Sequence, residues 1–321
     1  MFRAGRLMKI DIAVQSYKKP ESLLYSLMSL FAVSKHHIGT VYINDDCSGI
    51  NLDETYLNER VTSYFSPWKI LCRVNTSPVR LSPAWIRGHR PNYVSLRKWW
   101  GRRIRSLYLP RVIFHEMDDV RYQWAIRDTD KPYVFLLHDD IEFHDDVVGL
   151  YLSRINNRTA IVGDLGQCWR CPHGLTDPPC TPSRIVNGVF PSSIWPRTSS
   201  SAGIGSRDCR INEWSCLINV TVAREMAALE KCFFGNYDDG GDVGAYWFEQ
   251  VIRHGYHFDD PLPSAEERAR FYHHGWQGHS GHSIWEAQDG KQNTYDAAAV
   301  IRRTMEKFGV SLVELGDISA T

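Results

Sequence analysis

The densest group of chemically capable side chains lies in "VFLLHDDIEFHDD", residues 134–146, where four apolar residues lead directly into His138, Asp139 and Asp140. Burying adjacent carboxylates beside a strand costs free energy unless a cation neutralises them. Hard oxygen ligands at a sharp turn suit Mg²⁺ or Mn²⁺ carried on a diphosphate. The alternative interpretation is a turn whose exposed acids cap the following helix.

A second acid pair, Asp45 and Asp46, follows the predicted strand "TVYIN" within "NDDCSG". Ligands of parallel α/β sheets bind beyond the carboxyl ends of the strands, so two acid pairs at strand ends indicate a ligand site. The functional interpretation is a hydrogen-bonding pocket for a nucleobase and a ribose. The alternative is an ordinary turn rich in Asp, Ser and Gly.

Short apolar strands alternate with helical segments in the first half of the chain. The pattern predicts strands over residues 9–16, 40–44, 69–74, 134–137 and 160–165. A helix is predicted to open at Pro20, because proline suits a first helical turn. This β–α–β alternation predicts an α/β fold with a doubly wound, mainly parallel sheet flanked by helices.

Two long segments interrupt this alternation: a basic, aromatic insertion over residues 75–118 and a loop rich in Cys, Pro and Ser over residues 166–212. Beyond them, residues 215–230 are predicted to form a strand followed by a helix. A further helix is predicted to end at Gly255 and the last one at Gly309. We expect one continuous domain, with a donor-binding half over 1–165 and an acceptor-binding half over 166–321.

Four stretches, in this order along the chain, resemble inverting glycosyltransferases of the GT-A fold, family 2. They are "IAVQSYKKPESLLYSLMSL", "YINDDCSG", "VFLLHDDIEFHDDVVGLYL" and "SCLINVTVAREM … NYDDGGDVGAYWFEQVIRHGY". The resemblance implies a Rossmann-like sheet and an enzyme that moves a hexose or pentose to a hydroxyl acceptor. The donor would be a UDP- or GDP-type sugar nucleotide, and the acceptor a glycan, a glycolipid or a precursor in polysaccharide biosynthesis.

The resemblance also assigns roles to individual residues. Asp140 matches the ligand of a divalent metal, Mn²⁺ or Mg²⁺, and His138 stands where the family more often has Asp or Asn. Asp139 would contact the sugar or ribose directly, or the metal through water. The residues expected along the donor are Ser16, Tyr17, Asp45, Asp46 and Asp139. A histidine near the C-terminus commonly completes the metal shell, and His274 and His279 are the candidates; the alternative is a polar, Gly-rich loop.

Inverting transfer needs a base that takes the proton of the acceptor hydroxyl. The resemblance places this base at the start of the helix that ends in Gly255, where Asp242 fits best and Asp239 is the reserve. The alternative for Asp242 is a helix N-cap, a position that Asp favours; both roles can hold together.

The cysteine-rich loop carries half of a zinc-binding pattern. Cys168 and Cys171 have knuckle spacing, while Cys180 and His173 lie near them in sequence. A structural Zn²⁺ on these residues is one interpretation, and free thiols or a cross-linked loop are the other. Cys72 and Cys216 lie in apolar strands and are predicted to be small core residues.

Residues 93–108 form a basic, aromatic segment with helical periodicity. Such a helix could lie on an anionic membrane surface or bind an anionic acceptor, such as a lipid-linked diphosphate or a nucleic acid. The commoner outcome is a core-packing helix with a solvated basic face.

The chain has 37 basic and 37 acidic residues, which gives no general attraction to nucleic acid. Lacking a secretory leader or a spanning apolar run, the protein is expected in the cytosol.

Two other functions compete with glycosyl transfer. A metal-dependent phosphoester hydrolase or nucleotidyltransferase would use the same Asp and His residues. However, the turn after the first predicted strand contains no glycine-rich phosphate loop. A non-catalytic binding protein on a transferase scaffold is the second competitor, and the number of acids at strand ends argues against it.

Overall fold

A seven-stranded sheet with helices on both faces forms the centre of the computed structural model. The residues described are 8–49, 64–65, 68–79, 85–86, 114–166, 210–236, 243–274 and 295–310. The strands are β1 Ile10–Ser16, β2 Ile38–Asp45, β3 Lys69–Val74, β4 Trp85–Ile86, β5 Phe114–His115, β6 Tyr133–Leu137, β7 Ile141–Phe143, β8 Thr159–Gly166, β9 Arg210–Asn219, β10 His257–Asp259 and β11 Tyr272–His274. The helices are α1 Pro20–Ser34, α2 Gln123–Asp128, α3 Val147–Ser153, α4 Val220–Leu229, α5 Ala245–Arg253, α6 Ala265–Phe271 and α7 Ala297–Phe308.

The order of the strands in the central sheet is β10-β8-β9-β6-β1-β2-β3. Strand β9 runs antiparallel to both of its neighbours, and all other pairs in this sheet are parallel. Two small sheets accompany it: β7 pairs with β11 in antiparallel fashion, and β4 pairs with β5. The predicted mainly parallel, helix-flanked sheet is therefore confirmed.

The two faces of the sheet bury separate apolar clusters, because successive side chains of a strand point to opposite sides. Within β1, Ile10, Ile12 and Val14 pack with the leucines of α1, whereas Ala13 packs on the other face with Trp247 and neighbouring side chains of α5. The parallel strands of such a sheet end at one edge, and this is the edge that carries the acids predicted to bind a ligand.

Three details differ from the sequence-based expectation. Strand β9 begins at Arg210, inside the predicted loop, because β8 offers partners to its backbone as far as Gly166. The helix expected to begin at Asp242 begins at Ala245, and its N-cap is Gly244, whose left-handed φ of +74° suits glycine. Cys72 is only half-buried because β3 is an edge strand, whereas Cys216 is buried as predicted.

Within the described ranges, none of the helices has the length and apolar character needed to cross a membrane.

Candidate active site and metal centre

The carboxyl ends of β1, β2 and β6 meet at one edge of the sheet. In the register of the sheet, Ser16 lies opposite Asp45, and Val14 lies opposite Leu137 at the end of β6. The backbone N–H of Tyr17 lies 3.4 Å from Asp139 Oδ2, so the chain leaving β1 touches the acids that follow β6. The structure thus brings Ser16, Tyr17, Asp45 and Asp139 together, and their contact with a donor is still a prediction.

A buried lysine neutralises the two carboxylates that follow β6. Lys19 Nζ lies 2.9 Å from Asp139 Oδ1 and 3.5 Å from Asp140 Oδ2, and all three side chains are less than a tenth exposed. Lys19 is the N-cap residue of α1, immediately before Pro20. Burial alone would lower the pKa of the Lys19 ammonium, but the two carboxylates outweigh burial and hold that pKa above its ordinary value.

Asp139 is more easily protonated than an ordinary aspartate. Burial raises the pKa of its carboxyl group, Lys19 opposes this rise, and the neighbouring Asp140 adds to it. The net shift is upward. Asp139 therefore keeps a raised affinity for a proton in spite of the nearby ammonium.

Asp45 presents an oxygen that none of the described residues hydrogen-bonds. Its Oδ2 accepts a hydrogen bond of 2.9 Å from the backbone N–H of Ser48, whereas its buried Oδ1 has no hydrogen-bond partner among the described residues. Burial raises the pKa of this carboxyl group, and Ser48 partly offsets the rise. The hydroxyl of Ser16 on the adjacent strand is likewise buried without a described partner. Such atoms usually find a partner, so these two indicate a polar ligand.

Asp46 holds the chain in place beside this position. Its Oδ1 accepts hydrogen bonds of 2.8 Å from both Asn75 Nδ2 and the backbone N–H of Val79. Asp46 thus anchors residues 75–79 against the end of β2. A direct contact between Asp46 and a donor is still a prediction.

A candidate metal centre lies beside Asp140. One ligand atom from each of His138, Asp140 and His274 lies within 4.8 Å of the other two. The geometry follows from the small sheet, in which His274 of β11 pairs with Ile141, the residue after Asp140. Two imidazole nitrogens and one carboxylate suit a divalent transition metal better than Mg²⁺, which prefers oxygen ligands.

Two residues of β9 position the histidines of this centre. Glu213 Oε1 lies 3.3 Å from His138 Nε2, and the Trp214 ring stacks on the His274 imidazole with centroids 4.5 Å apart. Burial raises the pKa of Glu213, but the hydrogen bond with His138 and the charge of Arg121 outweigh burial and hold it below its usual value. Contacts of this kind fix ring orientation in metal sites.

Two of the predicted metal ligands, Asp140 and His274, lie close together, and His138, which looked like a departure from the family pattern, lies beside them. Their role as ligands is still a prediction. Sequence reasoning did not identify Lys19 or Glu213, although the "YKKPES" stretch before α1 offered a cation. Predicted residues outside the described ranges are Asp239, Asp242, His279, Cys168, Cys171, Cys180 and His173.

A further acid is buried at the end of β8. Asp164 Oδ1 lies 2.9 Å from Arg268 Nη1. Burial raises the pKa of Asp164 to about 7, although Arg268 opposes the rise, and the nearby Asp260 increases it. This carboxyl group therefore titrates near neutral pH.

Comparison with known proteins finds a similar solved structure but no matching family model or curated protein. No family model matches the sequence, and no curated protein matches it. A solved structure of the mannosyltransferase PcManGT from Pyrobaculum calidifontis, in complex with GDP-Man and Mn²⁺, is similar with a TM-score of 0.42 and 10% sequence identity. The alignment covers 97% of this chain and 79% of that one. A likeness of this degree assigns no ligand and no activity to the present chain.

Proposed function

We propose that the protein is a glycosyltransferase that uses a divalent metal ion and a nucleoside-diphosphate sugar. The observation that carries the proposal is the cluster of His138, Asp140 and His274 beside the buried Asp139–Asp140 pair. Buried carboxylates are costly to keep unless cations neutralise them. They suit a site that receives a cation together with an anionic substrate.

The donor nucleoside is proposed to lie over the ends of β1 and β2. Asp45 Oδ1 and the Ser16 hydroxyl are buried and lack described partners. A carboxylate accepts hydrogen bonds from a ring N–H of uracil or guanine, and a serine hydroxyl both donates and accepts. This chemistry favours UDP- or GDP-type donors, with Tyr17 and Asp139 following towards the diphosphate and the sugar.

The residues proposed to hold the cation are His138, Asp140 and His274. When bound, a divalent cation supplies positive charge that offsets the charge of the diphosphate leaving group. Lys19 adds a fixed positive charge on the other side of Asp140. The expected ions are Mn²⁺ and Mg²⁺, and of these two Mg²⁺ is the more restricted to oxygen ligands.

The transfer is proposed to invert the anomeric centre, with Asp242 as the base and Asp239 as the reserve. The base would accept the proton of a hydroxyl on a glycan, a glycolipid or a lipid-linked precursor. The basic segment over residues 93–108 is the proposed contact with an anionic acceptor or a membrane surface. The two halves, 1–165 and 166–321, would then bind donor and acceptor respectively.

Nucleotide-dependent thermal stabilisation tests the donor and metal parts of this proposal. UDP and GDP are added with Mn²⁺ or with a chelator, to the unmodified chain and to Asp140→Ala. Asp145→Ala is the matched control, because this exposed acid lies close in sequence but outside the metal cluster. We expect Mn²⁺-dependent stabilisation by one of the nucleotides in the unmodified and control proteins, and its loss in Asp140→Ala. Equal stabilisation of all three proteins would remove Asp140 from the metal site.

Turnover separates glycosyl transfer from the competing activities. A panel of nucleotide sugars should include one whose sugar–phosphate bond is cleaved in a Mn²⁺-dependent reaction. Cleavage of simple phosphoesters instead would support a hydrolase. Stabilisation without any turnover, with or without added acceptors, would support a binding protein that has kept a donor site.

A further inference from the structure

A second cluster of metal-ligating side chains lies at the opposite end of the sheet from the candidate active site. His36 and His37 lie between α1 and β2, and Asp146 immediately precedes α3. One ligand atom from each lies within 4.8 Å of the other two. Strand β2 separates the histidines from Asp45, which places the two sites roughly 23 Å apart at about 3.3 Å per residue.

Both imidazoles converge on one carboxylate oxygen. His36 Nε2 lies 3.2 Å and His37 Nε2 lies 3.3 Å from Asp146 Oδ2. The other oxygen, Oδ1, accepts hydrogen bonds from the Ser34 hydroxyl at 2.5 Å and the Gly149 backbone N–H at 3.0 Å. The carboxylate is thus fixed by one oxygen and presents the other to the two histidines.

Hydrogen-bond chemistry restricts what can lie between His37 and Asp146. His37 Nδ1 faces the carbonyl oxygen of Met8 at 3.3 Å, so this nitrogen must carry the proton. A neutral imidazole then turns a bare Nε2 lone pair towards a carboxylate oxygen, which is repulsive. Either a proton on Nε2 or a metal ion removes the repulsion.

The distances fit a metal ion held between the three side chains. Metal–ligand bonds of about 2.0–2.1 Å place the ligands of a tetrahedral zinc ion about 3.3–3.4 Å apart, close to the observed 3.2 and 3.3 Å. The Met8 carbonyl resembles the outer partner that usually orients a zinc-bound histidine.

Gly149 keeps this cluster open. A Cβ at Gly149 would lie 2.3 Å from Asp146 Oδ2 and 3.1 Å from His37 Nε2. Glycine within a helix is less favourable than alanine, yet it occupies the third position of α3. The glycine leaves room beside two of the three ligand atoms.

We propose that His36, His37 and Asp146 form a second metal site that binds Zn²⁺. Two imidazoles and a carboxylate are ligands that zinc accepts, and a water would fill the fourth position on the side where the His36 side chain is 41% exposed. The site ties the connection between α1 and β2 to the start of α3. It lies apart from the proposed donor site.

Zinc titration of the chelator-treated full chain tests the proposal, with bound equivalents measured by calorimetry and elemental analysis. The unmodified protein is compared with His36→Ala/His37→Ala, with Asp146→Asn and with Gly149→Ala. Asparagine is also a good N-cap, so Asp146→Asn preserves the start of α3 while removing the charged ligand. We expect each variant to bind one equivalent of zinc fewer than the unmodified protein.

His254→Ala is the matched control, because His254 forms a single histidine–carboxylate pair with Glu230 at 2.7 Å and belongs to neither metal cluster. This variant should bind as much zinc as the unmodified protein. NMR of the unmodified chain provides a readout that requires no variant: the ring signals of His36 and His37 should shift on addition of zinc. Unchanged ring signals, or equal zinc content in all proteins, would show that the cluster is only an ion pair and overturn the proposal.

Discussion

Removal of the Lys19 charge is the sharpest test of how the candidate active site is held together. In Lys19→Met, the apolar chain remains and the ammonium is lost. At an effective dielectric constant of about 20, contacts of 2.9 and 3.5 Å correspond to gross attractions of about 6 and about 5 kcal/mol. Desolvation of the buried ammonium cancels much of this, and loss of one partner of a buried ion pair typically costs about 3–5 kcal/mol. We therefore expect the free energy of unfolding at pH 8 to fall by about 3–5 kcal/mol.

The loss should depend on pH in a defined direction. The pKa of Asp139 is already raised in the folded protein, and without Lys19 it rises further. A carboxyl group whose pKa is raised on folding favours the folded state at low pH, and this advantage is lost as the pH rises through its folded pKa. The destabilisation should therefore be smaller at acidic pH than at pH 8.

Urea denaturation at pH 5 and pH 8 measures both effects. The double variant Lys19→Met/Asp139→Asn should recover most of the lost stability, because one of the two carboxylates becomes an isosteric amide. Lys131→Met is the control, since Lys131 pairs with the exposed Asp130 at the surface and such pairs contribute little. The role of Lys19 as counter-ion would be refuted if Lys19→Met lost as little stability as the control, lost the same amount at both pH values and gained none from Asp139→Asn.

Three further predictions concern Asp164, the proposed base and His274. The pKa of Asp164 is raised from 3.8 to about 7. Its ionisation therefore destabilises the folded state as the pH rises from 3.8 to 7, by on the order of 4 kcal/mol in all. In urea denaturation, the stability of Asp164→Asn relative to the unmodified protein should increase across this pH range. Asp242→Asn should lower single-turnover sugar transfer by about a hundred- to ten-thousand-fold with nearly unchanged nucleotide affinity, and normal transfer by both this variant and Asp239→Asn would exclude the pair as base. His274→Ala should weaken Mn²⁺ binding in calorimetry by at least about tenfold, and an unchanged affinity would remove His274 from the metal set.

Much of the fold follows from local sequence patterns. Strand β3 has the predicted bounds, and β1 and β6 differ from prediction by a single residue at one end. Helix α7 ends before Gly309, as predicted, with that glycine in the left-handed conformation. These elements have strong apolar runs or clear end signals, which act over a few residues. The three-residue strands β7, β10 and β11 carry no such signal, because their pairing depends on neighbours distant in sequence.

The candidate site was predictable in part for the same reason. Acids after apolar strands indicate which edge of a sheet binds a ligand, and this argument located Asp45, Asp139 and Asp140. The partner of the last two could not be found in this way, because Lys19 lies 120 residues before Asp139 and meets it only through the pairing of β1 with β6. His138 was equally hidden, since its inclusion in the metal centre depends on where β11 places His274.

The charges of the site give a reason to expect that donor binding depends on metal. Asp139, Asp140 and Lys19 together have a formal charge of −1 when all are ionised, and this would repel the diphosphate of a sugar nucleotide. A divalent cation held by His138, Asp140 and His274 would add two positive charges to these groups and so favour the diphosphate, because Coulomb interactions are strong where water is excluded. Nucleotide binding of equal strength with Mn²⁺ and with chelator would therefore contradict this charge arrangement as well as the proposed function.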